Sequence, residues 1–137
     1  MTNDAKKMSG YILLSVPTII YGGYFLLTIL SGQQEALQLT DFQKAMFRAG
    51  HAHAGVLVML SLIVQLFADH AILSNIWRWL ARVLFPISAI VISFGFFAAA
   101  TGVNITQPTP LIAILYFGIV LLVSALLILG IGLIKNK

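Results

Sequence analysis

Four long apolar runs alternate with short polar connections along this chain. The runs cover roughly residues 10–30, 45–67, 77–100 and 111–134. Each approaches or exceeds the ~20 apolar residues that a bilayer crossing requires. The pattern predicts an all-α polytopic membrane protein, a bundle of four transmembrane helices forming one domain. The short connections make consecutive helices antiparallel neighbours. The first run is too long for the apolar region of a signal peptide and no Ala-x-Ala site follows it, so it reads as a retained helix.

The connections carry their own signals. Thr40 and Gln43 have capping-box spacing, which starts the second helix at Asp41, about one turn ahead of the apolar run. Ser74 or Asn75 is placed to cap the third helix. Trp77 and Trp79, with Arg78 and Arg82 beside them, read as interface anchors. Pro108 and Pro110 are expected to end one helix and start the next. Gly130-Ile131-Gly132 reads as a packing feature. Asn104-Ile105-Thr106 matches a glycosylation sequon and is read as a chance match.

Composition supports the membrane reading: 60% of the 137 residues are hydrophobic and 9% are charged. A soluble domain of this size cannot hide so much apolar surface. The formal net charge of +4 comes from basic residues that flank the runs, so it speaks for orientation in a membrane and not for nucleic acid. Lys6 and Lys7, Arg78 and Arg82, and Lys135 and Lys137 mark three flanks. The connection at 101–110 carries no charge, and Glu35 and Asp41 in the connection at 31–44 balance Lys44 and the nearby Arg48. The positive-inside rule therefore puts both termini and the second connection in the cytoplasm. A bacterial inner membrane is the expected location, with the lipid bilayer as the first partner.

Polar chemistry is scarce. The absence of cysteine excludes disulfides, thiolate metal ligands and iron–sulfur clusters. Asp4, Glu35, Asp41 and Asp69 all fall at helix ends or in connections, which argues against a di-iron carboxylate centre and weakens ion-coupled transport. There is no acylation triad, P-loop or dinucleotide fingerprint. What remains is Gly50-His51-Ala52-His53-Ala54-Gly55, inside the second run. Ionisable groups in a bilayer are expensive and mark sites or pathways.

Two positions apart means ~200° around a helix, so His51 and His53 face nearly opposite ways and cannot jointly chelate one ion. His70 lies almost a bilayer away along the same helix and reads as an interfacial polar residue. Gly50 and Gly55, with Ala49 and Ala54, let something bulky approach the imidazoles: a neighbouring helix backbone or a flat macrocycle. Ala45, Ala49 and Ala52 form a small-residue ridge of the kind tight helix packing uses. Tyr21 and Tyr24 of the first run, and Ser93, Phe94, Phe96 and Phe97 of the third, fall at a similar depth. A tyrosine phenol there is placed to set an imidazole tautomer. Arg48, one turn before His51, either snorkels to the surface or pairs with an anion such as a haem propionate or lipid phosphate.

The Gly50–Gly55 segment resembles the histidine-bearing helices of the haem–copper oxidase superfamily, and also small four-span bacterial proteins with a His-x-His in one helix. The resemblance covers one span of four. In that superfamily several helices supply ligands, whereas all three histidines here lie on one helix or its end. The resemblance therefore implies at most one haem, with His51 or His53 as axial ligand and any second ligand from another protomer.

Three functions follow as expectations. The first is binding of b-type haem, or of a transition-metal ion, through His51 and His53, with Arg48, Gly50, Gly55 and Tyr24 around the cofactor and redox or gas-ligand chemistry towards the outer leaflet. The second is a homo-oligomeric pore or proton path, without a cofactor, lined by the histidines. The third is an accessory subunit of a larger membrane complex. In the plainest alternative, the histidines only hydrogen-bond across helices and hold the bundle.

Overall fold

The computed structural model describes residues 1–33 and 38–135. Glu35 and Lys137, which entered the charge count above, lie outside the described residues. Four helices make up the described chain: α1 (Asn3–Leu30), α2 (Asp41–His70), α3 (Asn75–Ala99) and α4 (Ile112–Ile134). Each is long and apolar enough to cross a membrane, so the chain has the make-up of a multi-pass membrane protein. The helices alternate up and down. Thr2 meets Asp69 and the Ile72 amide donates to Gly132 O at one end, while Gln43 meets Ala100 and Gly102 at the other.

The array is open. α3 packs on α2 and α4, and α1 packs mainly on α2, touches α3 marginally and does not reach α4 among the described residues. The core accordingly lies among α2, α3 and α4, around Leu57, Val64, Phe85, Ile92 and Leu129. The tightest seam joins α3 to α4. A Cβ on Gly95 would stand 2.5 Å from the Leu115 backbone nitrogen, and one on Gly118 would stand 2.8 Å from that of Ile92. Two backbones meet there because neither glycine has a side chain, the close approach typical of small residues between membrane helices. Gly132 makes room instead for the Leu73 side chain, whereas Gly130 has nothing near it.

Several expectations change at the ends. The capping box forms as the spacing predicts: the Gln43 amide donates to Thr40 Oγ1 at 3.2 Å and the Thr40 amide to Gln43 Oε1 at 3.1 Å. Gln43 is 2% exposed and its Nε2 also donates to the carbonyls of Ala100 and Gly102, both at 2.9 Å. It thus closes the start of α2 and the end of α3 together, and Thr40 Oγ1 adds a bond to Ile105 O. α3 stops at Ala99, well before either proline, and the chain turns at Gly102, whose φ of +127° suits glycine. Asn104, the sequon residue, is also left-handed, at φ 54°. Ser74 is the N-cap of α3 but its side chain makes no capping bond. The Ala45–Ala49–Ala52 ridge is not a packing seam, since Ala45 and Ala52 are exposed.

A buried polar cluster holds the other end. Arg82, read above as an interface anchor, is 2% exposed. It pairs with Asp69 and donates to Gln65 O at 3.2 Å and Thr2 Oγ1 at 3.4 Å. The Asp69 carboxylate also accepts from the Thr2 amide and hydroxyl, at 2.8 and 2.7 Å. Pro86 lies inside α3 and lacks the N–H that would satisfy Arg82 O four residues back. Gln65 Nε2 donates to that carbonyl instead, at 3.1 Å. The proline break and the glutamine on the facing helix are therefore parts of one device.

Candidate functional site

α2 carries both histidines about a third of the way from Asp41, near the end where α3 stops. The helix separates them as its period demands, and each finds a different neighbour. His51 faces α1. Its ring lies on Gly23: a Cβ there would be 2.9 Å from His51 Nε2 and 3.0 Å from Cε1. Gly23 thus makes room for the imidazole. His53 faces α3. Its ring lies beside that of Phe96, with centroids 4.7 Å apart and planes tilted by 33°.

His53 Nδ1 is 2.8 Å from the Ala49 carbonyl oxygen. A carbonyl can only accept, so Nδ1 carries the proton and donates. In the neutral ring the lone pair is then on Nε2. A histidine whose Nδ1–H is held by a backbone carbonyl is the usual preparation of an imidazole for ligation through Nε2. His53 is exposed on the wall of the chain. His51 makes no such bond among the described residues, and its Nε2 lies on the Gly23 side.

The remaining predicted residues divide. Gly50 belongs to helix packing and not to an open cofactor face, because α3 fills the space beside it: a Cβ would stand 3.1 Å from Phe96 Cβ and from the Phe97 ring. Phe47 packs on Phe97 with centroids 5.5 Å apart. Gly55 stays open, with nothing within 4 Å of a notional Cβ. It lines a shallow groove with His51, Ala52, Val56, Met59 and Leu60. Arg48, one turn before His51 on α2, is exposed. Tyr21 and Tyr24 are 70% and 65% exposed and neither bonds a histidine, so the phenol–imidazole pairing does not form. Ser93 is buried with its Oγ unpartnered and Phe94 is exposed. His70 lies at the far end of α2, with Asp69 and Arg78 around a separate cleft.

Among the described residues no three His, Cys, Asp or Glu side chains converge on a point that would hold a metal ion. The histidine region therefore offers single donors and not a ligand cage. The Arg82 cluster has a legible signal in the sequence: Ser61, Gln65 and Asp69 recur every four residues, a polar stripe on one face of the otherwise apolar stretch 54–69. No family model, curated protein or solved structure matches the chain.

Proposed function

We propose that this chain is a multi-pass protein of a bacterial inner membrane, both termini cytoplasmic, that binds b-type haem on α2 with His53 as axial ligand. The observation that carries the reading is the 2.8 Å bond from His53 Nδ1 to Ala49 O, which leaves Nε2 as the free donor atom. A haem supplies its own equatorial nitrogens, so one or two protein ligands suffice. A bare transition-metal ion needs three or four, and the described residues do not gather them. The small side chains of Ala49 and Ala52 leave α2 low beside His53, and Phe96 holds the imidazole plane from the other side. Arg48, exposed at the same end, lies ~140° around α2 from His53 and would meet a propionate only by extending around the helix. When bound, the group supplies electron exchange or gas-ligand binding.

His51 would serve as a ligand only after swinging out of its seat on Gly23. Because His53 lies on the outer wall of the chain, a second copy or another membrane subunit would have to cover the cofactor and could bring the second ligand. A pore reading likewise requires several copies, since the interior of α2–α4 is filled by Leu57, Val64, Phe85 and Ile92.

The absorption spectrum of protein purified from cells supplied with haem tests the reading. A Soret band with haem near one equivalent per chain is expected. A preparation with neither a Soret band nor a stoichiometric metal would end the proposal.

A further inference from the structure

The end of the molecule carrying the termini holds a cleft and a groove that the histidine region does not use. The groove runs between the start of α3 and the end of α4, lined by Leu73, Trp77, Leu127, Ile128 and Ile131, with Lys135 as its one charged residue. Leu73 is seated on Gly132 and also borders the neighbouring cleft, so the two spaces adjoin. In the cleft, the charge of Asp69 is taken up by Arg82 and by the two bonds from Thr2. Arg78 therefore sets the sign.

Arg78 is under-satisfied. One terminal nitrogen donates to Leu73 O at 3.1 Å, with a longer contact to Ala71 O, while its Nε is buried without a partner. The start of α3 opens on the same cleft, and Ser74 leaves its amides without a side-chain acceptor. An uncapped helix N-terminus favours an anion. Trp77, 52% exposed, stands where the apolar groove meets the polar cleft, the position an indole takes at a membrane interface.

We infer that this cleft and groove hold an anionic phospholipid, one acyl chain along the α3–α4 groove and the phosphate at its mouth, between Lys135 and the Arg78 side of the cleft. Basic pockets between membrane helices at the cytoplasmic face recognise anionic headgroups in this way. The inference depends on the helices spanning the membrane and is independent of haem.

Native mass spectrometry of the full chain, titrated in detergent with phosphatidylglycerol or with phosphatidylcholine, tests it. The wild type should bind phosphatidylglycerol more tightly. Lys135→Gln should weaken that binding about fivefold, and Arg78→Gln with Lys135→Gln should weaken it further, at about 1 kcal/mol per charge. Phosphatidylcholine binding should not change. Lys6→Gln with Lys7→Gln removes two charges from the same end but outside the groove, and should leave the preference intact. Equal binding of the two lipids would overturn the inference. So would a preference that survives Lys135→Gln, or one that falls as far in the Lys6/Lys7 variant, which would mark diffuse surface charge. Displacement of the lipid by millimolar inorganic phosphate would reassign the cleft to a free anion.

Discussion

The proton on His53 Nδ1 separates the roles of two histidines that the sequence presents as a pair. Ala49 O holds that proton, so His53 is oriented and tautomerically defined. His51 is instead a space-filling ring on Gly23. Gly23→Ala should therefore act through His51: the added methyl stands 2.9 Å from Nε2 and forces the ring to move. The ring is the movable end of a half-buried side chain, so the cost should fall at or below the low end of the about 1–3 kcal/mol that overpacking takes. Unfolding in a denaturing detergent series would measure it, and Gly23→Ala in a His51→Ala background should cost less than in the wild type. Equal costs in the two backgrounds would show that the contact carries no coupling. Spacing alone made the opposed directions of the histidines legible, because helix period is a backbone property. It could not say which nitrogen is free, because that depends on where Gly23 and Phe96 arrive from other helices.

At the scale of the element, two kinds of joint hold the helices. One is the backbone contact at Gly95 and Gly118. The other is polar repair, in which Gln65 satisfies the carbonyl that Pro86 releases. Gln65→Leu would leave Arg82 O without its donor and remove the Gln65 Oε1 contact 3.5 Å from the guanidinium, a cost of about 1–3 kcal/mol read as a lowered thermal midpoint. An unchanged midpoint would show that the carbonyl is satisfied some other way. Gln43→Ala should cost a comparable amount by opening the capping box and freeing two carbonyls at the end of α3. Hydrogen exchange should then rise at the start of α2 and the end of α3 together. The start of α2 was legible because a capping box is local in sequence. The end of α3 was not, since its closure comes from Gln43, 57 positions away. The alanine ridge misled for the opposite reason: small residues permit close packing, but among the described residues Ala45 and Ala52 stay exposed.

For the whole molecule, the order and antiparallel course of four helices follow from the apolar runs, and the structure keeps both. The open arrangement does not follow from them, because hydropathy records only that α1 is apolar and not which helices it meets. α1 depends on few attachments, and the Arg82–Asp69–Thr2 cluster pins it to α2 and α3. Arg82→Met would remove the pair but leave Asp69, on the border of the open cleft, its two bonds from Thr2, so the cost should be about 1–3 kcal/mol. Release of α1 should appear as new protease or hydrogen-exchange sensitivity near Asn3–Ala5. A variant that melts within 1 kcal/mol of the wild type would show the pair to be dispensable.

The open array also leaves His53 on an outer wall, where a cofactor would join this chain to a second one. The most direct measurement is the Soret absorbance of His53→Ala and His51→Ala, purified side by side from haem-supplied cells, with helical content checked by circular dichroism. The account predicts that His53→Ala loses the band while His51→Ala keeps it. A band that survives in His53→Ala, or that His51→Ala alone abolishes in a folded protein, would contradict the assignment of His53 as the ligand.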